Sequence, residues 1–200
     1  MKRLIIASNN EHKMQELESI LRDINVDLKV VPLRELDNVP EIIEDGQTFE
    51  ENATKKVTTI AKIAPNDYIL ADDSGLTIDA LNGEPGVYSA RYAGDHDDDA
   101  NIEKVFSKMG DTTNRAAHFH SVIVLLSPNK QRLVTSGTID GVITTQRHGD
   151  NGFGYDPIFW VPQFNRTFAE LTASEKNAVS HRGLALQSLG KQLPQWLAEN

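Results

Sequence analysis

Cysteine is absent from the 200 residues of this chain. Disulfide bonds and thiolate metal ligands are therefore excluded, and nothing in the sequence points to an oxidising compartment. Long hydrophobic runs are absent too. The longest internal run, residues 122–126, is far shorter than a membrane-spanning helix, and the run at residues 4–7 is too short for the core of a signal peptide. We therefore expect a soluble, cytoplasmic protein that makes no use of a membrane.

Positive charge is scarce, because 20 lysines and arginines stand against 29 aspartates and glutamates, giving a formal net charge of −9. An acidic chain repels a phosphate backbone at long range, so we do not expect a nucleic-acid partner. A small anionic substrate is still compatible, since a few converging cations or a metal ion override the global field locally. Repeats, low-complexity tracts and evident linkers are also missing, which favours a single domain over residues 1–200.

Short apolar runs alternate with helical periodicity, which predicts an α/β fold. The predicted strands are residues 4–7, 68–71, 117–126, 133–139 and 141–144. Helix caps are predicted at Asn9 or Asn10, at Thr48 and at Thr172. A last helix should follow Ser180, and Pro194 should bend it or end it early.

The first candidate for binding chemistry is the segment where the first strand gives way to a helix. It consists of Ser8, Asn9, Asn10, Glu11, His12 and Lys13. Free backbone N–H groups and the positive end of the helix dipole favour an anion at such a place, and Lys13 adds a charge. The pattern G-x-x-x-x-G-K-[ST] is absent, so this is not a P-loop. An ordinary capped helix with a solvated lysine is the competing interpretation.

Two adjacent acids, Asp72 and Asp73, follow the predicted strand 68–71 directly. Neighbouring strand residues point to opposite faces, so the two carboxylates cannot easily share one role. Gly75 would permit a positive φ or a close approach of substrate. The competing interpretation is an acidic turn.

An acidic loop precedes the second predicted helix. Glu44 in this loop could be a second oxygen ligand for Mg²⁺, which usually takes one or two carboxylates plus substrate phosphates. Lys55 or Lys56, about two helical turns further on, could meet a triphosphate. The competing interpretation is a polar loop followed by a solvated helix face.

Two later segments are further candidates for binding, the first through aromatic rings and the second through hydrogen-bond donors. The candidates are Phe153, Gly154, Tyr155, Asp156, Lys176, His181 and Arg182. Aromatic side chains spaced by glycine can stack on a base, which is worth about 1–3 kcal/mol, and the three cationic side chains supply donors near a helix start. The competing interpretations are a tight turn with its aromatics in the core and a helix N-terminus with exposed basic groups.

Two further patterns resemble metal-binding sites, but we do not expect either of them to bind a metal. Residues 95–99 lack EF-hand spacing and a closing glutamate, and we predict a solvated loop that leads into a helix. His118 and His120 share a strand face, but no third zinc ligand is evident in the sequence.

Taken in order, these segments resemble one family, the inosine triphosphate pyrophosphatases, also called non-canonical purine NTP pyrophosphatases or house-cleaning NTPases. The matching segments are residues 8–13, 44–53, 71–76, 83–94, 152–157, 170–172 and 175–182. The resemblance spans nearly the whole chain, and 83–94 and 152–157 are its most specific parts. The chain departs from the pattern at His12, where many members have glycine before the lysine.

The resemblance implies a two-lobed α/β fold with a long mixed central sheet flanked by helices and an active-site cleft between the lobes. It also implies a cytoplasmic homodimer that uses Mg²⁺ to hydrolyse ITP, dITP or XTP to the monophosphate and pyrophosphate. Carried onto this sequence, it makes Asp73 the general base and a metal ligand, with Glu44 as partner ligand and Asp72 assisting. The implied triphosphate contacts are Ser8, Asn9, Asn10, Glu11, His12, Lys13, Lys56 and Ser74. The implied base and sugar contacts are Phe153, Gly154, Tyr155, Asp156, Lys176, His181 and Arg182.

Two other functions are compatible with the residues. A related class that acts on modified pyrimidine nucleotides would share the reaction but lack the segments 152–157 and 180–182. A non-catalytic nucleotide sensor would keep the pocket but would have no need of a base at Asp73.

Overall fold

The computed structural model describes residues 2–23, 28–94 and 97–200, without the side chains of Ile20 and Asp23. The strands are β1 (Lys2–Ile6), β2 (Leu28–Pro32), β3 (Tyr68–Ile78), β4 (Ala116–Leu126), β5 (Arg132–Ile143), β6 (Phe159–Val161) and β7 (Arg166–Thr167). The α-helices are α1 (Glu11–Asp23), α2 (Phe49–Ile60), α3 (Asp98–Met109), α4 (Ala173–Val179) and α5 (His181–Glu199). None of the helices within these ranges is long and apolar enough to cross a membrane.

The seven strands form one mixed sheet in the order β2-β1-β3-β4-β5-β6-β7. Strand β1 runs parallel to both β2 and β3, with Leu4 opposite Val30 on one side and Tyr68 on the other. Strand β6 is antiparallel to β5 and to β7. The predicted α/β fold with a mixed central sheet flanked by helices is therefore confirmed.

The chain divides into two compact units. The first unit consists of Met1–Asp73, Ser121–Gly137 and Arg182–Asn200, and the second of Ser74–His120 and Thr138–His181. Each unit is therefore built from segments that are distant along the chain.

The first unit buries both faces of its sheet. Leu4 and Ile6 of β1 pack in a core with α1 and α5, whereas Ile5 and Ala7 pack in a core with α2. The residues that α1 and α5 contribute are Met14, Leu17, Leu21, Leu186, Leu189 and Leu193. A strand buried on both sides in this way appears in the sequence as an uninterrupted apolar run, as residues 4–7 do.

The second unit has one core cluster. It packs α3, through Ile102, Val105 and Met109, against residues of β4, β5 and β6. Asp97 caps α3 by accepting the N–H of Ala100 at 2.9 Å. The helix predicted to follow the loop at residues 95–99 is confirmed, but it begins at Asp98, so Asp98 and Asp99 belong to its first turn and not to the loop. Asp95 and His96 lie outside the described residues.

The structure corrects the predicted end of the strand at residues 68–71. Strand β3 continues through the acidic pair as far as Ile78. Aspartate is disfavoured in strands, but tertiary contacts override that preference here, because both carboxylates are buried against cations. Gly75 consequently lies in extended strand and does not provide the left-handed backbone suggested by its sequence context.

Two further predictions differ from the structure, one of them in part. The strands predicted at 133–139 and 141–144 are one continuous strand, β5, because Gly141 marks a close approach rather than a break. A Cβ atom at Gly141 would lie 2.5 Å from the ring of Phe159. Pro194 does not end α5, which runs on to Glu199. The alternative, that Pro194 bends the helix, stays a prediction. Pro194 is exposed, and the apolar side chains of Leu193 before it and Leu197 after it pack against the core of the first unit.

Candidate active site

The two adjacent acids of β3 face opposite sides of the sheet in the first unit. Leu70 belongs to the core beside α1 and α5, and Ala71 to the core beside α2. Strand alternation therefore carries Asp72 to the α1 side and Asp73 to the α2 side. The contacts of the two carboxylates bear out this separation.

The Asp72 cluster, made of Asp72, Lys13, Arg182, Glu16 and Ser121, is a buried network. Oδ2 of Asp72 lies 3.0 Å from Nζ of Lys13 and 3.4 Å from Nη2 of Arg182. The Ser121 hydroxyl donates to Oδ1, and Arg182 also pairs with Glu16. Burial alone would raise the pKa of Asp72, but Lys13 and Arg182 outweigh it and hold that pKa well below its usual value. These contacts do not support the predicted role of Asp72 as an assisting metal ligand.

The Asp73 cluster, made of Asp73, Lys56, Glu44 and Asn52, brings two predicted metal ligands to one point. Nζ of Lys56 lies 3.2 Å from Oδ1 of Asp73 and 2.9 Å from Oε2 of Glu44. The Asn52 amide donates to the other Asp73 oxygen at 3.1 Å. Burial raises the pKa of Asp73, and Lys56 offsets it only in part. Burial also lowers the pKa of Lys56, but attraction to Asp73 and Glu44 outweighs it, so the net pKa is raised.

Only one of the two adjacent lysines of α2 joins this cluster. Lys56 is buried, whereas Lys55 turns to the exposed Asp45. Successive residues on a helix point about 100° apart, so the two cannot share one face. The structure therefore favours Lys56 over Lys55 as the lysine of the site.

The donor set of the Asp73 cluster suits a hard cation. Glu44 and Asp73 already meet at one positive charge, the Lys56 ammonium. Within residues 2–23, 28–94 and 97–200 no group of three or more histidine, cysteine or acidic residues could hold a metal. A metal held here would take two carboxylates from the protein, and Mg²⁺ usually combines one or two carboxylates with substrate phosphates. The residues present therefore fit Mg²⁺ bound together with a phosphate.

The segment before α1 has the predicted capping geometry. Oδ1 of Asn10 accepts the N–H of Lys13 at 3.0 Å, and Oγ of Ser8 accepts the N–H of Asn10 at 3.3 Å. This cap places Lys13 on the first turn of the helix, within reach of Asp72. Asn9, Glu11 and His12 are exposed, and Ser74 is half-buried directly after Asp73. Anion binding by this segment stays a prediction.

The Lys176 cluster, made of Lys176, Asp156, Phe153 and Phe168, lies in the second unit. Nζ of Lys176 is 2.6 Å from Oδ2 of Asp156. The same ammonium lies 4.8 Å from the ring centre of Phe153 and 5.7 Å from that of Phe168. Asp156 also accepts the backbone N–H of Phe153 at 2.9 Å. An ion pair and two cation–π contacts thus fix Lys176 beside the half-buried ring of Phe153.

Tyr155 does not belong to a stacking surface. It is buried in the core of the second unit, and its hydroxyl donates to the Ser89 carbonyl at 2.8 Å. Burial raises the pKa of Tyr155. Gly154 has φ of 61°, and its N–H donates to Asp98 at 2.6 Å. Of the two aromatics predicted to form a platform, only Phe153 is partly exposed.

The three donors predicted around the last helix divide between the units. The His181 ring stacks on Phe119 in the second unit, with centroids 4.7 Å apart and planes 9° from parallel. Arg182 is buried in the first unit against Asp72 and Glu16. Base binding by Arg182 stays a prediction.

His118 and His120 form hydrogen bonds with neighbouring side chains of the second unit. Nδ1 of His118 is 2.7 Å from Asp140, and Nε2 is 3.1 Å from Asp79. The ring of His120 contacts the hydroxyls of Thr77 and Thr138. Hydrogen bonding to Asp140 raises the pKa of His118, with burial acting against it and Asp79 adding to it.

Sequence patterns did not point to Asn52, Ser121, Glu16 or Phe119. A signal existed for Asn52, because Asn52 and Lys56 lie one helical turn apart beside the apolar stripe of α2 and both are buried. Polar residues at that spacing on a buried helix face must be partnered. The other three are defined by neighbours that are distant along the chain.

The model of the Ham1 family matches residues 4–192. The chain belongs to the Ham1 family. The predicted resemblance is thereby confirmed. A dITP/XTP pyrophosphatase of Leuconostoc mesenteroides is 66% identical to it over 197 residues, which is 98% of each chain. A dITP/XTP pyrophosphatase of Lactiplantibacillus plantarum is 47% identical over 198 residues, covering 98% of this chain and 96% of the relative.

Solved structures of the Ham1 family are similar over nearly the full chain. The Staphylococcus aureus Ham1 protein is 45% identical with a TM-score of 0.87, and the match covers 97% of this chain and 99% of that one. A HAM1 protein from Coxiella burnetii is 45% identical with a TM-score of 0.89, covering 98% and 100%.

Proposed function

We propose that this Ham1-family protein is a nucleoside-triphosphate pyrophosphatase that converts dITP, XTP and ITP to the monophosphate and pyrophosphate. The names of its full-length relatives support the reaction class. The observation that carries the proposal is the meeting of Glu44 and Asp73, distant along the chain, at the buried ammonium of Lys56. Such a cluster combines a candidate base, a cation site and a phosphate-binding lysine.

Mg²⁺ is part of the proposal, with Glu44 and Asp73 as the residues that would hold it. When bound, it would neutralise charge on the phosphate oxygens and lower the pKa of a bound water. The cluster needs a cation for a physical reason, since two carboxylates and a triphosphate repel each other unless positive charge lies between them.

The protein's own groups have distinct proposed roles. Asp73 accepts the proton of the water that attacks the α-phosphorus, and the buried Asn52 amide holds its other oxygen. Lys56 and Lys13 offer ammonium groups to the phosphates, and they stabilise the negative charge that develops on the departing pyrophosphate. Lys13 is suited to this because the buried Asp72 anchors it at the start of α1.

Selectivity for the base is proposed to come from hydrogen-bond donors. Hypoxanthine and xanthine carry an acceptor oxygen at C6, where adenine carries a donor amino group. Lys176 and His181 supply donors that Asp156, Phe153 and Phe119 hold in place. Sites that depend on such pairing discriminate by up to roughly 10⁴-fold. Base contact by Arg182 stays a prediction, as do a homodimer and a cytoplasmic location.

The test is a product analysis with dITP, XTP, ITP, dATP, dGTP and a modified pyrimidine triphosphate, with and without Mg²⁺. We expect pyrophosphate from the first three, no turnover without the metal, and much lower kcat/KM for dATP. Equal efficiency on dATP would refute the selectivity. Bound but intact triphosphate would indicate a sensor, orthophosphate would indicate attack at the terminal phosphorus, and a preference for modified pyrimidines would indicate the related enzyme class.

Asp73→Asn tests the base directly. General bases contribute about 10²–10⁴-fold, so kcat for dITP should fall by about that factor at saturating Mg²⁺. The matched control is Asp67→Asn, the same change at a partly exposed ion pair with Arg3 in the same unit, and it should leave kcat unchanged. Full turnover by Asp73→Asn would remove Asp73 from the role of base.

A further inference from the structure

Asn52 is a fully buried polar residue within the first unit, and the proposed reaction gives it no step. It lies on α2, one turn before Lys56, with no exposed surface. A buried amide must find partners for both its oxygen and its nitrogen. The hydrogen-bond partners of the Asn52 amide therefore indicate its role.

The two ends of the amide join two segments of the Asp73 cluster. Oδ1 of Asn52 accepts the backbone N–H of Gly46 at 2.8 Å. Nδ2 donates to Oδ2 of Asp73 at 3.1 Å. A backbone N–H can only donate and a carboxylate can only accept, so these partners allow one orientation of the amide. Gly46 is two residues after Glu44, so Asn52 links the segment that carries Glu44 to Asp73.

The close approach at Gly46 supports a specific contact rather than loose packing. A Cβ at position 46 would lie 2.6 Å from Oδ1 of Asn52 and 2.9 Å from Cβ of Glu51. Both distances are shorter than real contacts allow, so only glycine lets the loop come this near to the amide. The loop and the helix are thereby held in one arrangement.

We propose that Asn52 is a positioning residue that holds the Glu44 segment and the Asp73 carboxylate in one fixed arrangement, so that Oδ1 of Asp73 and the carboxylate of Glu44 face the same point. This inference rests on the proposed function. With Oδ2 of Asp73 held by Asn52, Oδ1 is the oxygen that meets Lys56. Without the amide, Asp73 can rotate and the loop loses its anchor at Gly46.

The chain offers a matched control in the second unit. Asn101 is also a buried asparagine, and its Oδ1 accepts the N–H of Ala93 at 2.6 Å while its Nδ2 donates to the Ala90 carbonyl at 3.3 Å. Asn101 holds the segment at Ala90 and Ala93 against α3, as Asn52 holds the segment at Gly46 against α2. These contacts of Asn101 involve none of the groups assigned to the reaction. Asn52→Leu and Asn101→Leu are therefore the same substitution at two buried amides, each of which accepts a backbone N–H and donates to an oxygen, a carboxylate for Asn52 and a backbone carbonyl for Asn101.

The experiment compares wild type, Asn52→Leu and Asn101→Leu by three measurements. These are kcat and KM for dITP, the affinity of the nucleotide-free protein for Mn²⁺ measured by electron paramagnetic resonance, and the midpoint of thermal unfolding. Changes to residues that orient metal ligands cost about 10–100-fold, so Asn52→Leu should lose that much in kcat and in Mn²⁺ affinity with KM little altered. Asn101→Leu should lower the unfolding midpoint by a similar amount but leave kcat and Mn²⁺ affinity unchanged.

Unchanged kcat and Mn²⁺ affinity in Asn52→Leu would overturn the inference, and so would equal losses in Asn101→Leu. If Asn52→Leu does not fold, Asn52→Ala, which removes the amide without adding bulk, is judged by the same measurements. Failure of the proposed function is distinguishable, because wild type would then release no pyrophosphate from dITP. The Mn²⁺ titration would still decide the role of Asn52.

Discussion

Replacing Asp72 with asparagine should destabilise the first unit strongly, because the carboxylate is buried between two cations. Its side chain has no exposed surface, and those of Lys13 and Arg182 are 16% and 2% exposed. Removing one partner of a buried ion pair costs about 3–5 kcal/mol, because the other partner is left buried and uncompensated. Arg182 keeps Glu16 as a partner, so we expect about 3 kcal/mol, the lower end of that range.

The assay is urea unfolding followed by tryptophan fluorescence. Trp196 lies in the first unit, with its ring 6.0 Å from that of Tyr68, so it reports on that unit. Trp160 lies in the second unit and is replaced by phenylalanine in every variant. Asp67→Asn is the control, since the Asp67–Arg3 pair lies near the surface, with side chains 15% and 46% exposed, and surface pairs contribute about 0–1 kcal/mol.

The loss of stability in Asp72→Asn should depend on pH in a defined direction. The folded pKa of Asp72 is depressed, so its contribution is present above the unfolded pKa of about 3.9 and is lost as the pH falls through the folded value. The difference in unfolding free energy between wild type and Asp72→Asn should be constant from neutral pH to about pH 5 and shrink below about pH 4. A difference at neutral pH no larger than that of Asp67→Asn, or one that grows in acid, would refute the reasoning.

Two further predictions concern the second unit. Lys176→Met leaves the Asp156 carboxylate buried without its cation and should cost about 3–5 kcal/mol in unfolding free energy. Lys176→Met with Asp156→Asn should be more stable than Lys176→Met alone, and a double variant of equal stability would contradict this pairing. His118→Gln should destabilise the protein at about pH 6 more than at about pH 9. The folded pKa of His118 is raised, first by the hydrogen bond with Asp140. The stabilisation by His118 is therefore complete below about pH 6.5 and is lost as the pH rises through the folded pKa. Equal losses in the unfolding midpoint at the two pH values would contradict that account.

Local patterns were enough to predict most of the elements. The cap at Asn10, the cap at Thr48 and the capping box of Thr172 with Glu175 are all present, because each depends on residues three apart. Where β3 ends could not be predicted in this way. Asp72 and Asp73 are turn residues by local preference, and they stay in a strand only because cations from α1, α2 and α5 reach them.

The candidate site was predictable to a similar extent. The opposite orientations of Asp72 and Asp73 followed from strand alternation, and the grouping of Glu44, Lys56 and Asp73 was expected from the family resemblance. The position of Arg182 was not predictable from its neighbours in sequence, since its partners Asp72 and Glu16 are 110 and 166 residues away. Tyr155 was expected on a stacking surface but its ring lies in the core of the second unit, because a sequence does not say whether an aromatic beside glycine faces a ligand or the core.

The order of synthesis matters for a unit assembled from three distant stretches of chain. Asp72 leaves the ribosome 110 residues before Arg182, a delay of roughly 6–22 s at about 5–20 residues per second. During that interval the nascent first unit also lacks Leu186, Leu189 and Leu193 of its core. Asp72 therefore acquires its arginine when α5 arrives, at the same time as the first unit gains its full apolar packing. A ribosome that stalls before residue 182 leaves a nascent chain exposed to proteases and chaperones.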